Sequence, residues 1–289
     1  MSTLTRRSLA GILSAPFLLN AQKEKKFRIS LAQWSLHRAI QSGKLTNLDF
    51  PKVARGFGIE GLEFVNGLWA APTAGYLRRL KRNMESTNTK CVLTMVDDEG
   101  LMGHSSAAER QKAVRNHHKW VDYTAELGGH SIRCNMHGEK QPATQAEIDS
   151  FIGYCSESFA SLCDYAAKQK INIIIENHGG ISSNPDVLVA LMKKTNLPNF
   201  GLLPDFGNFP PGTDKYEAVR KMMPYAKGVS FKCHEFGPDG NETGIDMHRM
   251  MKIVDEAGYR GWVGIEFEGK GDEMEGIRAA KKFLDQYAT

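Results

Sequence analysis

Cysteine is sparse in this sequence and follows no pattern. The chain has 289 residues and five cysteines, Cys91, Cys134, Cys155, Cys163 and Cys233. None forms a CxxC pair, and an odd, irregularly spaced set argues against a disulfide framework. Five small buried hydrophobes are expected instead. A Pro/Gly/Ser-rich linker is also missing, so the chain reads as one domain, with the Gly- and Asp-containing stretch Phe236–Gly244 as a loop. Net charge is only +4 and the basic residues are scattered. No Lys/Arg stripe with interleaved aromatics occurs, so no nucleic-acid groove is suggested and no nucleic-acid partner is expected. The apolar run Ala10–Leu19 is too short to span a bilayer. No surface pattern marks a partner interface. The first strand-like run continues Leu31-Ala32-Gln33-Trp34-Ser35 and lacks the glycine-rich turn of a dinucleotide-binding open sheet.

The remaining composition, 41% apolar and 24% charged, is ordinary for a soluble globular protein, and the length suits a single barrel. Residues 1–21 read differently. Arg6-Arg7-Ser8-Leu9 precedes the apolar run, which ends near Asn20-Ala21. Basic, then apolar, then small is the order of an export signal, here resembling the twin-arginine type. The expectation is an exported, periplasmic protein whose folded part is 22–289.

Strand-like and helix-like runs then alternate eight times. The strand candidates are 28–35, 59–65, 90–96, 130–136, 171–176, 199–205, 227–233 and 261–267. The run Ile171-Asn172-Ile173-Ile174-Ile175 has the near-continuous apolar character of a strand buried on both faces. Helical periodicity is longest over 107–127 and 145–168. Asn184-Pro185-Asp186 reads as an N-cap with proline at the first helical position. Eight strand–helix units predict a (β/α)8 barrel.

In such a barrel the strand C-termini converge on one mouth. Polar residues cluster at all eight ends: Gln33 and His37; Glu63 and Asn66; Asp97, Asp98 and Glu99; Arg133, Asn135 and His137; Glu176, Asn177 and His178; Asp205 and Asn208; Lys232, His234 and Glu235; Glu266 and Glu268. A lone carboxylate at a strand end is more often a helix cap than a ligand. Glu176 and Glu266, however, adjoin or interrupt hydrophobic runs, where an unpaired charge is costly. Carboxylates converging from strands five, six and eight repel one another unless a cation lies among them, and oxygen donors suit Mg, Mn or a similar divalent ion.

Ile175-Glu176-Asn177-His178-Gly179-Gly180, Leu203-Pro204-Asp205-Phe206-Gly207-Asn208-Phe209 and Gly264-Ile265-Glu266-Phe267-Glu268-Gly269 resemble the xylose isomerase-like TIM barrel superfamily, in its sugar phosphate isomerase/epimerase-type branch. Ala32-Gln33-Trp34-Ser35-Leu36-His37 and Ile132-Arg133-Cys134-Asn135 extend the likeness. The resemblance implies one divalent metal (Mn, Mg or Co, with Zn as a further option) held by Glu176, Asp205, Glu266 and a strand-seven histidine. That histidine does not carry over: the register puts Ser230 there, with Lys232 two residues on. His234 is the nearest imidazole of the same parity, about 13 Å further along an ideal strand, and His178 is a second candidate.

The resemblance further implies proton abstraction beside a carbonyl, with Glu176 and Glu266 as the acid–base pair and Lys232 near the oxyanion. Gln33, His37, Arg133, Asn135, His137, Asn177, His178 and Asn208 are the expected contacts to sugar hydroxyls. Trp34, Trp69 and Phe206 could offer apolar faces to the sugar ring, though for each alone core packing is the better expectation. The reaction implied is isomerisation or epimerisation of a small carbohydrate. Alternatives are elimination from a 3-keto-glycoside at the same site and a non-catalytic carbohydrate-binding barrel. Asn208, where a related endonuclease places a further histidine, counts against phosphodiester cleavage.

Overall fold

The computed structural model describes residues 26–288; the expected export segment, 1–21, lies outside them. Eight parallel strands form one sheet: β1 (Arg28–Ala32), β2 (Gly61–Val65), β3 (Lys90–Val96), β4 (Ser131–Cys134), β5 (Asn172–Glu176), β6 (Phe200–Leu203), β7 (Val229–Cys233) and β8 (Trp262–Phe267). Helices α1 (His37–Gln41), α2 (Phe50–Gly56), α3 (Ala74–Thr87), α4 (Ala107–Glu126), α5 (Gln145–Ala167), α6 (Pro185–Thr195), α7 (Lys215–Met222), α8 (Met247–Glu256) and α9 (Glu273–Leu284) alternate with them. Neighbouring strands run β6-β5-β4-β3-β2-β1-β8-β7. The ring closes where β6 meets β7, through the isolated bridges Leu202–Ala226 and Asp205–Ser230. No helix among the described residues is long and apolar enough to cross a membrane.

Strand parity sorts the side chains into two layers. Ile173 and Ile175 of β5 face the helices, in the core that also holds Leu62, Phe64, Ile132, Phe231 and Ile265. Ile174 faces the barrel axis, where Ala32, Val65, Leu93, Met95, Leu203 and Trp262 make a small apolar plug. Residues two positions beyond an inward residue also point inward, and that rule aims Glu176 (after Ile174) and Asp205 (after Leu203) at the mouth.

The strands are shorter than the sequence suggests. β1 stops at Ala32 because Gln33–Leu36 folds into a 3-10 turn. β6 stops at Leu203 because Pro204 has no N–H to donate to a neighbouring strand. A register shift between Leu62 and Glu63 where β2 pairs with β3 re-aims the start of that strand end. The predicted N-cap is present: Asn184 accepts from Asp186 N at 3.0 Å, with Pro185 opening α6. All five cysteines are buried and free, as expected.

Candidate metal centre at the barrel mouth

Glu176, Asp205 and Glu266 meet as predicted. One carboxylate oxygen of each lies within 4.8 Å of the others, and all three side chains are buried. Ser230 Oγ stands between two of them, 2.8 Å from both Asp205 Oδ2 and Glu266 Oε2. A neutral hydroxyl therefore occupies the place expected of an imidazole. Lys232, two residues on and 2% exposed, lies 3.5 Å from Glu266 Oε1, 3.9 Å from Asp205 Oδ2 and 3.3 Å from Glu268 Oε2. Arg133 flanks the cluster on the other side. Its guanidinium donates to Asp97 Oδ1 at 2.6 Å, and its Nε approaches Glu176 Oε2 at 2.9 Å. That N–H is misaligned, so Glu176 Oε2 is buried without a hydrogen-bond partner.

Electrostatics separate the three acids. Burial pushes Glu176 up to about 7 despite Arg133, with the charge of Glu266 adding to the effect. Burial likewise raises Asp205 to about 7 against the pull of Lys232. Glu266 is also buried, but Lys232, the Ser230 hydroxyl and Arg133 together hold it below the usual range. Lys232 itself stays firmly protonated, since the surrounding acids outweigh its desolvation. Two carboxyls raised toward neutrality and an orphaned buried oxygen mark a cluster short of positive charge. A hard divalent ion fits the three carboxylates and the hydroxyl.

The second layer is built by side chains that hold the first. Asn177 donates from Nδ2 to Asp205 O at 3.0 Å and accepts Asp205 N at 2.8 Å, replacing the strand rung that Pro204 interrupts. Asn208 donates to Glu176 Oε1 at 3.1 Å. Its backbone N–H and that of Gly207 both bond Asp205 Oδ1 at 2.8 Å. Beneath lies Glu63, a buried carboxyl that the sequence placed at a strand end but gave no role. It accepts from Ser30 Oγ at 2.5 Å, and its Oε2 has no partner. Burial pushes it up to about 8, and the charges of Glu266 and Glu176 add to this.

Beside Glu176 and Arg133 opens a cleft of about 530 Å³ lined by Asp97, Asp98, Glu99, Asn135, His137 and His178, among others. Asn135 donates to Asp97 Oδ1 at 2.7 Å. Burial, with Arg133 nearby, holds both His137 and His178 below the usual imidazole range. A larger groove of about 870 Å³, lined by Leu36, Arg38, Leu45 and Met274, lies apart from the acidic cluster and lacks its chemistry.

Four expected residues are placed elsewhere. Gln33 is fully buried, with its amide engaged by Asn47 Oδ1 at 2.6 Å and Val65 N at 3.0 Å, so it braces β1 against β2. Asn177 is fully buried, with both amide atoms bonded to the Asp205 backbone. His37 turns into the α1 start, bonding Trp34 O at 2.7 Å and stacking on the Trp34 ring. His234 lies beyond the end of β7, half-exposed and 3.8 Å from Glu242 Oε1, outside the acidic cluster. Its alternation with Lys232 fails because the chain leaves the strand at Cys233. Trp69 and Phe206 pack in the core as expected, Trp69 against Phe64 and Trp120 and Phe206 against Phe231.

Comparison with known proteins agrees with this architecture. A human protein named "Putative hydroxypyruvate isomerase" is 22% identical over 82% of this chain and 90% of its own length. A D-allulose 3-epimerase from Methylomonas sp., solved with D-allulose, superposes with a TM-score of 0.70 at 15% identity, over 91% of this chain and 98% of that one. A Mycobacterium smegmatis barrel solved with magnesium superposes with a TM-score of 0.63 at 17% identity, over 84% and 88%. With the model of the xylose isomerase-like TIM barrel matched over residues 51–287, the chain belongs to that family.

Proposed function

We propose that this barrel is a divalent-metal-dependent isomerase or epimerase of a small carbohydrate, moving a proton on the carbon next to a carbonyl. The observation that carries the reading is the trio Glu176, Asp205 and Glu266, three buried carboxylates that each bring an oxygen within 4.8 Å of the others. These three would hold the ion, with the Ser230 hydroxyl beside it. Oxygen donors suit Mg, Mn or a similar divalent ion. Magnesium in the mycobacterial barrel and D-allulose in the Methylomonas enzyme support the ion and the ligand class.

When bound, the ion would polarise a substrate carbonyl and stabilise the negative charge that develops on its oxygen. The chain's own residues do the rest. Glu176, at the end of β5 and two residues before the cleft-lining His178, takes the carbon-bound proton. Glu266 returns one from the other side. Lys232 places a fixed positive charge against the same carboxylates and steadies the oxyanion. Arg133 and Asn208 grip Glu176 and fix its direction. The Arg6-Arg7 segment supports a periplasmic setting for this chemistry.

Metal analysis of the purified protein is expected to find about one divalent ion per chain, lost in the double variant Glu176→Gln, Asp205→Asn. In heavy water, the metal-loaded protein is expected to exchange a carbon-bound proton of a carbonyl sugar. Glu176→Gln is expected to slow that exchange by about 100- to 10,000-fold. Stoichiometric metal binding without exchange on any carbonyl compound would leave a carbohydrate-binding barrel in place of an enzyme.

A further inference from the structure

Resting on that reading, we infer that the substrate carries no anionic group: it is an uncharged polyhydroxylated carbonyl compound, neither a phosphate ester nor a keto acid. This separates the chain from the hydroxypyruvate in its human relative's name.

Barrels commonly bind phosphate in the loops after strands seven and eight, on backbone N–H groups at a helix N-terminus. Here those donors already meet the chain's own carboxylates. In the β7 loop, Glu242 is 7% exposed and accepts from His234 N at 3.2 Å, Gly244 N at 2.6 Å and Ile245 N. After β8, Asp272 caps α9 by accepting Glu275 N at 3.0 Å. Glu273, 8% exposed, accepts Arg38 N at 2.8 Å and Ala39 N at 3.0 Å, filling the start of α1. An incoming phosphate would have to displace a built-in anion at each place.

The buried side-chain cations are also engaged, and the exposed Lys270 of the β8 loop lines grooves away from the cleft. Arg133 lies between Glu176 and Asp97, and Lys232 among Glu266, Asp205 and Glu268. Arg38 donates to the carbonyls of Gly269 and Gly271. The cleft beside Glu176 is lined by Asp97, Asp98 and Glu99, and by no lysine or arginine; Lys119 pairs with Glu99 alone. Around the reacting position, Arg133 and Lys232 pair with five acids, Asp97, Glu176, Asp205, Glu266 and Glu268, and Asp98 adds a sixth in the cleft. One divalent ion still leaves a negative surplus. Such a field repels an anion, while carboxylates, Asn135 and the imidazoles of His137 and His178 suit hydroxyl groups.

The test pairs neutral and charged probes on the manganese-loaded full chain. Proton exchange in heavy water is followed for D-fructose, D-allulose and a methyl 3-keto-glucoside, and for fructose 6-phosphate and hydroxypyruvate. Calorimetry with inorganic phosphate and with glycerate runs alongside. The expected result is exchange on a neutral member, at least about 100-fold slower exchange on the charged ones, and no saturable binding of phosphate or glycerate at millimolar concentration. Preferred turnover of hydroxypyruvate or the phosphate ester would overturn the inference and leave the isomerase reading standing. Exchange on no member would sink the isomerase reading, and calorimetry would then decide the charge question by itself. Saturable binding of either anion overturns the inference in every case.

Discussion

Glu63 is a carboxyl the fold keeps protonated. Its group is raised from 4.5 to about 8, so the folded chain holds a proton that the unfolded chain has already released across that window. Stability present at low pH is therefore lost as pH rises through that range, by on the order of a few kcal/mol. Glu63→Gln keeps a neutral side chain of the same shape, and urea melts across the window are expected to show a flatter pH dependence than the parent. An unchanged slope would mean that Glu63 is ionised in the folded protein. Ser230 makes a second test. Ser230→Ala removes the one donor shared by Asp205 Oδ2 and Glu266 Oε2 and is expected to cost about 1–3 kcal/mol in metal-free protein. Added divalent ion is expected to recover part of this loss. The three clustered acids were legible in the sequence because Glu176 and Glu266 adjoin or interrupt apolar runs and all three sit at strand ends in motifs that resemble the family's. The buried role of Glu63 was not, since nothing local distinguishes it from a cap. Nor was the true task of Gln33 or Asn177, whose partners lie 14 to 32 residues away in the chain.

At the scale of elements, alternation placed all eight strands and the long helices, but their ends depended on side chains from neighbouring elements. Pro204 shortened β6, and the 3-10 turn at Gln33 shortened β1. The loops after β7 and β8 are joined by a close approach that the sequence does not announce. A Cβ on Gly269 would collide with the His234 carbonyl oxygen, a backbone atom that cannot swing aside. Gly271, two residues on, has open space around its Cβ position. Gly269→Ala is expected to lower stability by about 1–3 kcal/mol in thermal or urea melts, and Gly271→Ala to leave it within about 0.5 kcal/mol. Equal effects would show that the two loops are not packed this way in solution.

Across the whole molecule the hydrogen-bonded ring is uneven. Seven of its seams are continuous ladders, that of β2 and β3 with one register shift, but between β6 and β7 only isolated bridges and a few bonds, such as Lys227 N to Leu202 O and Ser230 N to Pro204 O, join the strands. Hydrogen exchange is expected to show lower protection at Lys227 and Ser230 than in the middle of β4 and β5. Divalent ion at about 100 times its dissociation constant is expected to stabilise the fold by about 2.7 kcal/mol and to raise protection at that seam. The loose joint separates Asp205 from Ser230 and Glu266, so an ion gripping carboxylates on either side would serve as the buckle of the ring. Such a protein would read the supply of its cofactor as mechanical tightness, and starvation for the metal would open the belt at the point where the chemistry is done.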